Sequence, residues 1–95
     1  MMEQSLPLVS ILIPMYNRPQ YFQMAWQSAI NQTYKHFEIV IADDSTNDET
    51  MTMIQPYLSQ YPFIRYYKND HNLGQFDNDL QLMNLANGVY QLSDG

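Results

Sequence analysis

The sequence contains no cysteine, only three glycines and only four basic residues among its 95 residues. Without cysteine the chain has neither a disulfide framework nor a thiolate metal site, which suits a reducing compartment such as the cytoplasm. Its formal net charge is −6, and it lacks the clustered lysine and arginine that follow a polynucleotide backbone. Nucleic acid is therefore not an expected partner. The basic residues are Arg18, Lys35, Arg65 and Lys68.

Long apolar runs and several common motifs are also missing. No run approaches the roughly 18 residues that a membrane span requires, and the start MMEQSLP lacks the basic and apolar regions of a signal peptide. The sequence thus predicts a cytoplasmic chain with no transmembrane segment, and the alternative is association with a membrane through parts of the protein outside this chain. Neither G-x-G-x-x-G nor G-x-x-x-x-G-K-[ST] is present, and Ser45 lacks nucleophile-elbow glycines. His36 and His71 have no second ligand at metal spacing and receive no role.

Short apolar runs alternate with amphipathic segments along the chain. The runs at residues 8–14, 37–42 and 63–67 predict strands, and Val89 opens a fourth strand. Connections long enough to hold a helix predict right-handed βαβ units. The predicted fold class is α/β, an alternating βαβαβα chain with a parallel sheet, in one domain over residues 1–95.

Three helices are predicted between the strands. The first begins at Pro19 with Asn17 as its cap, and the second follows Ser45 or Asn47 as its cap. Pro56 is expected to kink or shorten the second helix.

The third helix is predicted over residues 76–86, with Gly88 as its C-terminal stop. Helical spacing predicts a set of inward-facing apolar side chains on this helix. They are Phe76, Leu80, Met83 and Leu82.

Three loops follow parallel strands and should therefore meet at one edge of the sheet. They cover residues 15–18, 43–47 and 69–75. Asp43 and Asp44 are adjacent, so one can face a ligand while the other caps a backbone amide. Capping alone is the alternative interpretation for both carboxylates.

The first loop carries an aromatic side chain and a cation. Tyr16 follows a proline at the end of a strand, where its ring is placed either to stack on a planar ligand or to pack over the helix. Arg18 is either a phosphate contact or a solvated side chain. An acidic chain that binds a phosphorylated molecule should need a divalent cation between its carboxylates and the phosphate oxygens.

Four motifs in this order and spacing resemble the N-terminal half of family 2 glycosyltransferases of the GT-A fold. They are P-x-Y-N-R at residues 14–18, Q-T-Y at 32–34, D-D-S-T-x-D at 43–48 and N-x-G at 72–74, with Gly88 following. The resemblance implies a metal-dependent, inverting transfer of a sugar from a nucleotide-diphosphate sugar to an acceptor, in bacterial polysaccharide or cell-surface glycan synthesis. It does not name the sugar or the acceptor.

The resemblance also implies a nucleotide site for a donor of the UDP or dTDP type. Tyr16 would stack on the pyrimidine, and Asp44 would accept a hydrogen bond from the ring N3–H. Asn72, Gly74 and Asn78 would close the far wall near base and ribose. The full set of implied nucleotide-binding residues is Pro14, Tyr16, Asn17, Arg18, Asp43, Asp44, Asn72, Gly74 and Asn78.

In the related enzymes a cation, Mn²⁺ or Mg²⁺, holds the diphosphate through acidic residues after the fourth strand, and Asp94 is the candidate ligand here. The catalytic base and acceptor site are expected beyond Gly95. We therefore expect a truncated, donor-binding half that is inactive alone. Because the fourth strand pairs beside the first in the related fold, its loss would leave the first strand as a free edge and favour self-association.

Two other classes of protein remain open. One is a receiver-type signalling domain, in which an acidic pair at a strand end holds Mg²⁺. In that class the pair follows the first strand, whereas here it follows the second, and Asp70 is a poor candidate for the phosphoacceptor. The other is a non-catalytic α/β interaction module whose acids are only caps.

Overall fold

The computed structural model of the protein describes residues 6–93. Strands and helices alternate as predicted, and the predicted bounds of the first three strands and of the third helix lie within one residue of the observed ones. The order is β1 (Val9–Met15), α1 (Pro19–Asn31), β2 (Phe37–Asp43), α2 (Glu49–Gln60), β3 (Ile64–Lys68), α3 (Gln75–Leu85) and β4 (Val89–Leu92). No helix among the described residues is long and apolar enough to cross a bilayer.

The four strands form one parallel sheet in the order β3-β2-β1-β4. Ile11 of β1 lies opposite Ile39 of β2 and opposite Gln91 of β4. The expectation that β1 would be left as a free edge is wrong for its first four residues, because β4 pairs with them. The short and largely exposed strand β4 is the edge instead.

The two faces of the sheet are covered unequally. Alternate residues of β1 and β2 pack with α1 and α2 into the larger apolar core. At its centre Trp26 is 7% exposed, with ring centroids 4.6 Å from Tyr61 and 5.2 Å from Tyr57. The opposite face is covered by α3 through a smaller cluster that includes Leu12 and Leu82. Polar contacts therefore contribute more to holding α3 and β4 on the sheet than to holding α1 and α2.

The inward face of α3 differs from the prediction. Phe76 is 74% exposed and Leu80 is 43% exposed, so both were wrongly placed inward, whereas Leu82 is fully buried as predicted. Asn78 is buried in place of an apolar residue. Its carboxamide is hydrogen-bonded inside the protein, which allows a polar side chain to occupy the face that periodicity assigned to apolar residues.

The starts of the first two helices also differ in detail. Helix α1 begins at Pro19 as predicted, but no side chain within residues 6–93 caps its N-terminus. Asn17 instead adopts a left-handed backbone conformation with φ of 50°. In front of α2, the Asn47 side chain accepts from the backbone N–H of Glu49 at 3.0 Å. Helix α2 continues through Pro56 to Gln60, so the proline does not shorten it.

A buried carboxylate ties the turn between α3 and β4 to the sheet. Glu38 accepts from the Ser10 hydroxyl at 2.6 Å, the Asn87 backbone N–H at 2.8 Å and the Arg65 guanidinium at 2.9 Å. The Ser10 hydroxyl oxygen accepts in turn from the backbone N–H of Gly88 at 2.9 Å. Burial alone would raise the pKa of Glu38, but these donors outweigh it and hold the pKa below the ordinary value of 4.5.

The lowered pKa of Glu38 gives a stability prediction with a definite sign. A depressed carboxyl pKa contributes stability that is present above pH 4.5 and is lost as the pH falls through the folded-state pKa. Glu38→Gln should lower the free energy of unfolding by about 2 kcal/mol at neutral pH and flatten its decline under acid. Urea unfolding at several pH values measures this, with the exposed Glu49→Gln as control. Parallel acid profiles for wild type and Glu38→Gln would contradict the assignment.

Candidate functional site

The loops at the carboxyl ends of β1, β2 and β3 meet at one edge of the sheet, as predicted. They surround a cavity of about 620 Å³. The end of β4 and the first turns of α3 complete the wall. The lining residues are Pro14, Met15, Tyr16, Arg18, Tyr21, Asp44, Asn72, Gly74, Gln75, Asn78, Asp79, Leu92 and Ser93. Seven of the nine predicted nucleotide-binding residues therefore line one cavity, and Asn17 and Asp43 do not.

The carboxylate of Asp44 organises the loop between β3 and α3. One oxygen accepts from the Asn69 carboxamide at 2.8 Å and the Leu73 backbone N–H at 2.7 Å. The other accepts from the Asn72 carboxamide at 2.7 Å and the Gly74 backbone N–H at 2.9 Å. A carboxylate offers about four lone-pair sites, so these four donors occupy all of them. Asp44 is 4% exposed and holds the loop against the end of β2.

Asp43 turns away from the cavity. It is fully buried, and its two oxygens accept from the Ser45 backbone N–H at 3.0 Å and the Tyr66 hydroxyl at 2.5 Å. Burial and the bond to Asp43 both raise the pKa of Tyr66, which keeps this phenol protonated as a donor. The Lys68 ammonium lies 3.9 Å from the same carboxylate. The adjacent acids therefore point in different directions, and Asp43 has the capping role that the sequence left open.

Asn17 joins the first loop to the second. Its backbone N–H donates to the Ser45 hydroxyl at 2.8 Å, and its carboxamide oxygen accepts from the Thr46 backbone N–H at 2.9 Å. Asparagine tolerates the left-handed backbone of this position better than most residues. These hydrogen bonds of Asn17 hold the adjacent Tyr16 at the mouth of the cavity, where Tyr16 is 54% exposed.

The wall formed by α3 carries amide side chains that hydrogen-bond to one another and to the sheet. The Asn78 amide donates to the Ala42 carbonyl at 3.0 Å, and its oxygen accepts from Asn69 at 2.9 Å and Gln81 at 3.2 Å. Gly74 precedes the helix with φ of 88°, a conformation that glycine adopts without strain. Sequence reasoning missed Asn69 and Gln81. Asn78 and Gln81 are three residues apart, so they lie on one face of the helix. This spacing is the signal in the sequence from which Gln81 could have been predicted as a partner of Asn78.

The described residues do not by themselves form a cation site. Within residues 6–93 no group of three or more histidine, aspartate or glutamate side chains is placed to hold a metal ion. Of the two cavity carboxylates in this range, Asp44 has its lone pairs occupied, and Asp79 has a buried Oδ1 without a hydrogen-bond partner. Asp94, the ligand implied by the resemblance, lies outside the described residues.

A parallel sheet with this cavity at its carboxyl edge has the fold of GT-A glycosyltransferases. The structure superimposes on a mannosyltransferase from Pyrobaculum calidifontis in complex with GDP-Man and Mn²⁺ with a TM-score of 0.75 and 19% identity, covering 86% of this chain and 25% of that one. For S. aureus TarS in complex with UDP the TM-score is 0.72 at 24% identity, covering 90% and 27%. Identities this low establish the fold alone.

The chain belongs to glycosyl transferase family 2, whose sequence profile matches residues 10–92. It is 34% identical to the chondroitin synthase of Escherichia coli over 85 residues, which are 88% of this chain and 12% of that protein. It is 40% identical to the abequosyltransferase of Salmonella typhimurium over 86 residues, covering 87% and 26%. The chain thus spans only a minor part of these relatives. The predicted family is confirmed, and a receiver-type domain is not favoured.

Proposed function

We propose that residues 1–95 form the donor-binding part of a glycosyltransferase that moves a sugar from a nucleotide-diphosphate sugar to an acceptor. The observation that carries this proposal is the cavity at the carboxyl ends of the parallel strands, with an exposed aromatic ring at its mouth and a wall of amides opposite. The family membership and the UDP bound by TarS support it. We expect a donor of the UDP or dTDP type, used in polysaccharide or cell-surface glycan synthesis.

Recognition of the base requires a rearrangement around Asp44. All lone-pair sites of its carboxylate are occupied, so a ring N3–H can bind only if one present donor gives way. Two of the four donors are backbone groups, and Asn69 is also held by Asn78 and Gln81. The Asn72 side chain is exposed, and the amide's other hydrogen bond, to the Asp44 carbonyl, is the longer one at 3.1 Å. Asn72 is therefore the donor we expect to yield, and its freed amide can then turn to the nucleotide.

The metal ligand, the acceptor site and the catalytic base are assigned to residues outside the described range. We propose that Mn²⁺ or Mg²⁺ neutralises the diphosphate, with Asp94 as a candidate ligand. The acceptor site and the base that activates the acceptor hydroxyl would belong to a longer protein, in which the 95 residues are one truncated domain.

We also propose a cytoplasmic location, and self-association of the chain through its β4 edge. A clean monomer in sedimentation at micromolar concentration would contradict the self-association.

Tyr16→Ala tests the nucleotide site with little risk to the fold, because the side chain is more than half exposed. Loss of a base-stacking ring costs about 1–3 kcal/mol, so we expect UDP affinity to fall by roughly 5- to 150-fold. Titration calorimetry of the purified chain with UDP, and with ADP as comparison, measures this with and without Mn²⁺. Met24→Ala, which removes another exposed apolar side chain outside the cavity, is the control.

Three outcomes separate the alternatives. UDP binding that exceeds ADP binding and weakens only in Tyr16→Ala supports the proposed site. Equal binding of UDP and ADP would argue against recognition of a pyrimidine. Absence of any nucleotide binding by the wild-type chain would contradict a donor-binding role for these residues and favour the interaction module.

A further inference from the structure

The chain contains one Asn-Gly pair, Asn87-Gly88, in the turn that joins α3 to β4. Asparagine followed by glycine is open to intramolecular attack, because glycine has no side chain to shield its backbone nitrogen. A Cβ at position 88 would lie 2.7 Å from the carbonyl carbon of Leu8, so the fold requires glycine there. Asn87 is exposed, and water can reach its side chain. The turn therefore carries the chemical groups of a deamidation site.

Hydrogen bonds engage both reacting groups while β4 is on the sheet. The backbone N–H of Gly88 donates to the Ser10 hydroxyl at 2.9 Å, so its nitrogen is held and is not free to attack. The Asn87 backbone N–H donates to Glu38 at 2.8 Å, and its carboxamide donates to the same carboxylate at 3.3 Å. Attack on the carboxamide therefore requires these three hydrogen bonds to break first.

We infer that Asn87 is a deamidation site that is closed while β4 pairs with β1 and opens when β4 separates. In the open chain the backbone nitrogen of Gly88 loses its proton to solvent base and attacks Cγ of Asn87. A new C–N bond closes a five-membered succinimide ring, and the side-chain nitrogen leaves as ammonia. Water then opens the ring at either carbonyl and gives aspartate or isoaspartate. The reaction consumes one water, releases one ammonia and involves no change of oxidation state.

Either product opposes the return of β4 to the sheet. Aspartate at position 87 sets a second carboxylate where the carboxamide now donates to Glu38, and two like charges at this separation repel. Isoaspartate adds one carbon to the backbone, which displaces the Gly88 N–H from Ser10. Separation of β4 then becomes permanent, and the cavity loses the part of its wall formed by Leu92 and Ser93.

Peptide mapping by mass spectrometry measures the reaction in the purified chain during incubation in mildly alkaline buffer, with and without denaturing urea. Because three hydrogen bonds must break, we expect residue 87 to react at least about tenfold more slowly in the native chain than in the unfolded chain. Ser10→Ala frees the Gly88 N–H and should raise the native rate several-fold. Ser59→Ala removes an exposed hydroxyl on α2 and should leave the rate unchanged. Circular dichroism checks that each variant is folded.

Asn87→Asp reproduces the aspartate product without waiting for the reaction. It should shift the midpoint of urea unfolding to a lower concentration by roughly 1 M, because it places a carboxylate beside Glu38. Gln55→Glu adds the same charge at an exposed position of α2 and should leave the midpoint nearly unchanged. Hydrogen exchange at Val89 should be faster in Asn87→Asp than in wild type, because its bond to Leu8 is released.

Each result has a definite reading. Slow native reaction that Ser10→Ala accelerates and Ser59→Ala does not supports the closed site. Equal rates in the native and unfolded chains, or no acceleration in a folded Ser10→Ala chain, would overturn it. No reaction at residue 87 in the unfolded chain would exclude the site altogether. A wild-type midpoint in Asn87→Asp would overturn the permanent separation of β4. None of these measurements involves a nucleotide, so the proposed function stands or falls separately.

Discussion

Replacing Asp44 with alanine is expected to lower the free energy of unfolding by about 3 kcal/mol and to abolish nucleotide binding. The carboxylate accepts four hydrogen bonds, two of them from the backbone N–H groups of Leu73 and Gly74. Alanine leaves these N–H groups without an acceptor at a partly buried site. The loop that carries Asn72 should then detach from β2, and one wall of the cavity should lose its shape.

Denaturant unfolding and UDP titration of the Asp44→Ala chain measure the two effects together. Asp48→Ala removes an acid of the same loop whose side chain is 74% exposed, and it should change stability by less than about 0.5 kcal/mol. Asp44→Asn keeps the side-chain volume but turns one acceptor into a donor, so we expect an intermediate loss. Wild-type stability in Asp44→Ala would show that the four hydrogen bonds contribute little to holding the loop.

Gly88→Ala is expected to separate β4 from β1, at a cost of about 3–5 kcal/mol. A Cβ at this position would lie 2.7 Å from the carbonyl carbon of Leu8 and 2.9 Å from its Cβ, closer than such atoms approach in proteins. To relieve the overlap the chain must give up the bond from the Val89 N–H to the Leu8 carbonyl and the bond from the Gly88 N–H to Ser10.

Hydrogen exchange at Val89, together with denaturant unfolding, measures the separation. Gly74→Ala is the matched control, since among the described residues no atom lies within 4 Å of the Cβ it would add, and only its backbone conformation is strained, at about 1–3 kcal/mol. Once β4 is detached, the apolar strand β1 becomes an edge, and sedimentation should show increased association. Unchanged exchange protection at Val89 in Gly88→Ala would refute the close-contact argument.

The alternation of strands and helices was predictable because it depends on local patterns. A parallel strand covered on both faces must be apolar throughout, and β1 and β2 are close to that. The meeting of the three loops followed from the same reasoning, because parallel strands place their carboxyl ends together. Asp44 and Tyr16 could therefore be assigned to the same edge of the sheet from the order of the strands and loops in the sequence.

The errors concern contacts between residues far apart in the chain. Asn78 is buried because Ala42, 36 positions earlier, accepts its hydrogen bond, and helical periodicity carries no information about such a partner. The groups that donate hydrogen bonds to the Asp44 carboxylate lie 25 to 30 residues away in the chain. The local pattern around Asp44 therefore could not show that all its lone-pair sites are occupied. Gly88 was interpreted as a helix stop, whereas its lack of a side chain is required by the approach of Leu8.

Trp26 is the chain's only tryptophan, and its position makes it an internal optical reporter. Its indole lies between α1 and α2 against Tyr57, Tyr61 and Phe63, on the sheet face opposite α3. Its emission should therefore follow the larger core and be insensitive to the loss of β4 or of the Asp44 loop. A variant that keeps native tryptophan fluorescence while losing UDP binding has changed only locally. A variant that loses both has unfolded globally.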